Sequence, residues 1–146
     1  MSYKKILIAI DGSELSNKAL EQGAGLAKGL GAEVIVVNVT EPYHQIATGE
    51  VLVSFPVADY DKAAATAAHQ ILDAAEEMLA SKGVTCEKKH VKDQHPADGI
   101  TGTAKKEGAD LIVVASHGRR GISRLLLGSQ ANAVVVQSEI PVLVCR

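Results

Sequence analysis

The sequence predicts an α/β domain built on an open, five-stranded parallel sheet with helices on both faces. Short, continuous apolar runs recur at Ile6–Ile10, Val34–Val39, Leu111–Ala115 and Ile140–Cys145, the pattern of strands buried on both faces. The stretches between them carry apolar residues at helical spacing. Such alternation needs crossover connections, which are right-handed almost without exception and lay helices on the two faces of a parallel sheet. At 146 residues the chain suits one domain, 1–146, that buries roughly 70% of the surface its unfolded form exposes.

Each element has its own signal. Ile6–Ile10 is stopped by Asp11-Gly12-Ser13. Ser13 is suited to cap the following helix, and Glu14 favours the positive end of its dipole. Leu15, Ala19, Leu20, Ala24, Ala27 and Leu30 then recur at helical spacing, and Gly31 ends the helix. Val34–Val39 is the second buried strand. From Thr40 to about Asp59 the chain holds Pro42, Gly49 and Pro56. A connection of this length is expected to be a lid, a binding loop or a mobile segment. Asp59–Ser81 reads as helix, closed by Gly83. Val84–Lys92 reads as a strand whose charges, Glu87, Lys88, Lys89 and Lys92, argue for a sheet edge. Pro96–Glu107 is a short helix with Pro in its first turn. After the strand Leu111–Ala115 comes a Gly- and Arg-rich connection, Gly118–Gly128, and then a last helix, Ser129–Ser138. The final strand, Ile140–Cys145, is apolar, and no helix is expected to cover it. At a sheet edge it is expected to pair with the same strand of a second subunit in a two-fold homodimer.

Composition narrows the function. Hydrophobic residues are 47% and charged residues 22%, ordinary for a globular protein. Aromatics are 3%, with no Trp, so the core is made of Val, Ile, Leu and Ala. A net charge of −2 supplies no field that would draw nucleic acid or an anionic membrane, and neither is expected as a partner. The apolar run after Lys5 is too short for a signal-peptide core, and no run approaches the eighteen or so residues of a membrane span. Cys86 and Cys145 form no CxxC pair and are expected to be reduced thiols in a cytoplasmic protein. His90 and His95 lack the spacing of a helical ligand pair, and no Cys, Asp or Glu cluster makes a metal site there convincing, so no metal ligand is assigned. Gly23-Ala24-Gly25-Leu26-Ala27-Lys28-Gly29 looks like a dinucleotide fingerprint, but its last interval is one residue too long and it lies inside a helix. There is no GxxxxGK[ST] loop and no Gly-x-Ser-x-Gly elbow. A receiver domain would need an acidic cluster at the strand ends, and Asp11 stands alone there.

In an open parallel sheet, ligands bind beyond the carboxyl ends of the strands, where the winding reverses. Three segments meet that condition: Asp11-Gly12-Ser13, Val39-Thr40, and Ala115-Ser116-His117-Gly118 leading to Gly128-Ser129. Backbone N–H groups of a Gly-rich turn and of a helix N-terminus hold phosphate. Gly118 and Gly128 permit close backbone approach. Ser129 has a hydroxyl and an N–H to offer, and Arg119, Arg120 and Arg124 carry charge that would neutralise phosphate. Each feature also has a plainer reading. The glycines serve as turn residues, Asp11 and Ser129 as helix caps, the arginines as solvated surface, and His117 as a structural residue.

The run Ala115-Ser116-His117-Gly118-Arg119-Arg120-Gly121-Ile122-Ser123-Arg124-Leu125-Leu126-Leu127-Gly128-Ser129 resembles the nucleotide loop of the universal stress protein family. ATP-binding members carry Gly, two residues, Gly, nine residues, Gly, then Ser or Thr. Gly118 and Gly128-Ser129 match, whereas Ala115 stands where the first Gly is usual. That methyl matters only if the position needs a positive φ or touches the ligand. Lys5–Ser13 resembles the family's opening strand and Ile140–Val144 its closing one, so the resemblance covers essentially the whole chain. It implies a Rossmann-like, adenine nucleotide alpha hydrolase-like sheet. It also implies a cofactor site made of Ile10, Asp11 and Val39, of Ala115, Ser116, His117, Gly118 and Arg119, and of Gly128, Ser129 and Gln130. Asp11 would lie near adenine or ribose, and backbone groups near Val39 would meet the base. The expected cofactor is ATP, with or without Mg²⁺, or else AMP or ADP. The expected function is nucleotide-binding regulation in the stress response. The alternatives are a nucleotide-free dimeric scaffold and a slow ATPase or self-phosphorylating protein with Ser129 or Ser123 as acceptor. No general base or Walker-type lysine is evident, so no catalytic residue is assigned.

Overall fold

The computed structural model describes residues 2–42, 57–118 and 126–146. In chain order the elements are β1 (Lys5–Ala9), α1 (Glu14–Leu30), β2 (Glu33–Val39), α2 (Val57–Ser81), β3 (Cys86–Val91), α3 (Pro96–Glu107), β4 (Leu111–Ala115), α4 (Ser129–Gln137) and β5 (Val142–Cys145). The five strands form one sheet in the order β3-β2-β1-β4-β5, every pair parallel. The expected α/β sheet is therefore present.

Strand side chains alternate between faces, so a continuous apolar run buries both sides. In β1, Ile6 and Ile8 face α1 and α2, together with Leu20, Val36, Leu72 and Leu79. Leu7 faces α3 and α4, with Ile35, Val37, Ile100, Ile112 and Val134. Burying each such aliphatic side chain contributes roughly 1.5–3 kcal/mol, and this two-sided core holds the carboxyl ends of β1 and β4 in place. Gly23 belongs to the same packing. A Cβ there would stand 2.5 Å from Ile8 Cδ1, so the false fingerprint is a seat for Ile8 on α1.

The charged strand lies at the sheet edge, as its sequence predicts. Its lysines alternate like any strand residues. Lys88 reaches Asp73 and Glu76 of α2, both at 3.0 Å, while Lys89 reaches Glu107 of α3 at 3.3 Å. These half-exposed pairs contribute little individually.

Some boundaries move for local reasons. The N–H of Val84 donates to Leu79 O at 2.9 Å to close α2, so β3 begins at Cys86, two residues beyond the expected start. β5 begins at Val142 because the N–H of Ile140 is taken by Ser138 Oγ at 3.1 Å and Pro141 has none. α2 starts at Val57, slightly before the expected Asp59, and α4 ends at Gln137 with Ser138 as its cap. The connection expected from Thr40 to Asp59 falls largely outside the described residues. So do Arg119, Arg120, Ser123 and Arg124. Among the described residues no helix is long and apolar enough to cross a membrane.

Candidate functional site

The sheet winds from β1 outward to β2 and β3, then returns to place β4 on the other side of β1. At that reversal the carboxyl ends of β1 and β4 border a cavity of about 590 Å³, a size that accommodates a nucleotide. Its walls bring together the sequence-predicted Ile10, Asp11, Val39, Ala115, His117, Gly118, Gly128, Ser129 and Gln130. Ser116 is not in the wall. It is buried beneath, at 5% exposure. Arg119 lies outside the described residues.

The first side of the cavity is the turn from β1 into α1. Asp11 Oδ1 accepts the N–H of Ser13 at 2.9 Å, and Ser13 Oγ accepts the N–H of Ser16 at 3.2 Å. Ser16 Oγ in turn accepts the N–H of Asp11 at 3.3 Å. The cap of α1 is therefore Ser13 and not Asp11, which instead holds the N–H of the cap residue and still borders the cavity with its carboxylate.

The opposite side is the start of α4. Its cap is Gly128, which has no side chain, and no acidic residue stands in the first turn. The first helical hydrogen bond runs from the N–H of Asn132 to Gly128 O at 2.9 Å. The N–H groups of Ser129, Gln130 and Ala131 therefore have no intrahelical acceptor and lie at the positive end of the helix dipole.

Both loop glycines lie at close approaches made by the protein's own atoms, a side-chain oxygen that can move at Gly118 and fixed backbone at Gly128. A Cβ on Gly118 would lie 2.9 Å from Asp11 Oδ2. A Cβ on Gly128 would lie 2.8 Å from the carbonyl oxygen of Ser116 and 3.3 Å from His117 Cα. Ser116 ties the loop together. Its N–H donates to Cys145 O of β5 at 2.8 Å, and its carbonyl accepts the N–H of Gly128 at 2.8 Å. Its hydroxyl lies 3.2 Å from His117 Nδ1. Ala115 closes β4 in ordinary strand geometry, without a positive φ. Its methyl causes no backbone strain.

The remaining wall is apolar: Val37, Val39, Pro96, Ile100 and Val114. Val39 can lie close to α3 because Gly99 faces it; a Cβ there would meet Val39 Cγ2 at 2.7 Å. At the rim, Thr40 Oγ1 lies 2.6 Å from His90 Nε2, and Tyr60 donates to Glu41 O at 3.0 Å. Burial lowers the His90 pKa, with Lys92 and His69 adding to the effect.

Sequence reasoning missed Asn38, Ser16 and Gly99. Asn38 is buried in β2 and donates its amide to Ile10 O at 2.9 Å, fixing the end of β1 across the sheet. A polar residue inside an otherwise apolar strand was the available signal. Ser16 and Gly99 had none, since their partners are defined only by the fold.

The described walls carry two carboxylates, Asp11 and Glu41, and no lysine or arginine. Among the described residues no three His, Cys, Asp or Glu side chains cluster to hold a metal. Burial raises both thiol pKa values, at Cys86 and at Cys145, so neither is an activated nucleophile. A second cavity, of about 520 Å³, lies at the other end of β2 and β3 beside Gly31 and Gly83. The C-termini of α1 and α2 end there. Helix C-termini present carbonyls, which repel an anion. The open N-terminus of α4 and the apolar wall make the first cavity the one that fits a nucleotide.

A family model described as "Universal stress protein family" matches residues 2–146. The chain belongs to the universal stress protein family. It is 35% identical over 148 residues to "Universal stress protein YxiE" of Bacillus subtilis (strain 168), covering 99% of each chain. Its fold resembles that of a universal stress protein UspA from Lactobacillus plantarum, with a TM-score of 0.83 at 22% identity, covering 100% of this chain and 99% of the other. A crystal structure of a universal stress protein in complex with cAMP aligns with a TM-score of 0.77 at 25% identity, covering 100% of this chain and 99% of that one. In this universal stress protein, Ala115, His117, Gly118, Gly128 and Ser129 of the run that carried the resemblance border the crevice between β1 and β4.

Proposed function

We propose that this universal stress protein binds an adenine nucleotide in the crevice between β1 and β4, and acts as a homodimeric regulator in the cytoplasmic stress response. The observation that carries the reading is the start of α4. Three N–H groups open onto a cavity of about 590 Å³ whose other wall is apolar. An anionic group suits the N–H groups, and an aromatic base suits Val39, Pro96 and Ile100. The cAMP bound by a relative of the same fold supports the choice of adenine. ATP, with or without Mg²⁺, is the first candidate, and ADP and AMP share the recognised chemistry.

The homodimer reading rests on β5 at the sheet edge. Leu143 there is 37% exposed, and Val135 and Val136 of α4 are 43% and 75% exposed. Pairing β5 with its copy would satisfy an open strand edge and cover these side chains.

Isothermal titration with ATP, with and without Mg²⁺, tests the binding reading. The expected result is saturable one-to-one binding, with AMP and cAMP competing. Absence of binding by protein free of copurified nucleotide would overturn the reading and leave the dimeric scaffold. Sedimentation at micromolar concentration tests the dimer, and a monomer would remove it.

A further inference from the structure

Resting on the nucleotide reading, we infer that Gly99 sets the depth of the base pocket: a helix position without a side chain lets Val39 sink against α3, and the recess so made admits a two-ring base. Val39 borders the cavity and also presses on α3. A Cβ on Gly99 would lie 2.7 Å from Val39 Cγ2, 2.8 Å from Cγ1 and 3.4 Å from Cβ. The first two separations are far inside the distance at which carbon atoms pack. Gly99 itself is not part of the cavity wall. It acts through Val39 and is a positioning residue.

The backbone does not call for glycine here. Gly99 is buried in the first half of α3, its φ is not positive, and its N–H donates to His95 O at 2.9 Å. Glycine is among the poorest residues for a helix interior, so its presence at a crowded position is explained by space. Gly102, one turn further along, provides the contrast. It is exposed, and a Cβ there would meet nothing within 4 Å. Neither side of the Gly99 contact can yield without changing the wall. The end of β2 is held from both flanks: Thr40 N–H donates to Val91 O of β3 at 2.8 Å, and the Asn38 amide donates to Ile10 O at 2.9 Å. Valine is β-branched and has few rotamers to choose from. On α3, Pro96 and Ile100 lie one turn apart and border the cavity with Val39. A methyl at position 99 must therefore turn Val39 out of its seat, or move α3 and carry Pro96 and Ile100 with it. Both responses reshape the apolar wall that suits a base.

The test is titration of the full chain with AMP, for the wild type, Gly99→Ala, Gly102→Ala, Val39→Ala and the double variant Gly99→Ala/Val39→Ala. Displacing a pocket wall by one methyl predicts that Gly99→Ala weakens AMP about ten-fold, while Gly102→Ala leaves it within about two-fold. With Val39 truncated the seat is empty, so the double variant should bind AMP within about two-fold of Val39→Ala. The double variant also relieves the collision, which keeps the comparison available if Gly99→Ala folds poorly. Methyl NMR spectra supply a second readout. A base lying on the wall shifts the Val39 and Ile100 methyl resonances through its ring current. Saturating AMP should move them in the wild type, and by a different amount in Gly99→Ala. A loss of stability alone would not change that shift. Unchanged AMP affinity in Gly99→Ala, an equal loss in Gly102→Ala, an equal further loss in the Val39→Ala background, or Val39 methyls unmoved by AMP in the wild type would each overturn the inference while nucleotide binding stands. A wild type that binds no AMP would overturn both.

Discussion

Two helix N-termini face the same crevice, and they are finished in opposite ways. At α1, Ser13 caps the N–H of Ser16, Asp11 takes the N–H of Ser13, and Glu14 adds a negative charge to the first turn. At α4, the cap is a glycine and the first turn has no acid. Both helices follow parallel strands at the topological reversal, so fold position alone does not distinguish them. The difference lies in a few side chains. Side chains take up part of the N-terminus of α1 and add an acid there, whereas the start of α4 has neither device, an arrangement that suits an anion.

The largest effect should come from destroying the open end. In Gly128→Val the new Cβ would meet backbone at Ser116 and His117, atoms with little freedom to yield. Nucleotide affinity should fall at least about a hundred-fold and stability by about 1–3 kcal/mol, read by titration and by urea unfolding. Because the collision is with the protein itself, an unchanged stability would mean that the loop relaxes and that this account of Gly128 is wrong.

A finer test makes α4 resemble α1. Ser129→Asp would place a carboxylate in the first turn of α4. It should stabilise the free protein by about 0.3–1 kcal/mol through the dipole and weaken nucleotide binding about ten-fold by occupying the donors and repelling phosphate. Opposite signs for stability and affinity are the signature. If affinity survives, the phosphate is not held at this helix.

The smallest effect on binding should come from opening α1. Ser13→Ala removes a cap worth about 1 kcal/mol of stability and should leave nucleotide affinity within about two-fold, because the distant helix end keeps its own contacts. A large loss of affinity would show that the crevice depends on both ends equally, and the contrast drawn between them would fail.

The legibility of the site in the sequence follows the same division. Features that depend on neighbours along the chain could be read directly. Ser13 before a helical repeat, Pro96 at a helix start, the charges of β3 and the two-sided apolar runs all announced their structure. The loop glycines were legible as points of close approach, but the approaching partners were not. Asp11 lies 107 positions before Gly118 (118 − 11), and only the β1–β4 pairing brings them together. Asn38 holds Ile10 across 28 positions. That contact follows from β1 and β2 lying side by side, which composition and periodicity do not specify. The open character of α4 was half visible: Gly128 looked like a phosphate-loop residue, while its missing cap acquires meaning only beside the closed end of α1.

The hydrogen bond from Ser116 to Cys145 joins two parts of very different security. Ser116 supports the crevice and, through its carbonyl, the first turn of α4. Cys145 ends β5, a strand with a sheet neighbour on one side only among the described residues. Edge strands open more readily than central ones. Opening of the outer strand would cost the crevice one of its anchors, so the rim of the sheet is where the loop after β4 would be loosened first. Whatever steadies that rim, a second copy of the chain included, also steadies the floor on which a phosphate would rest.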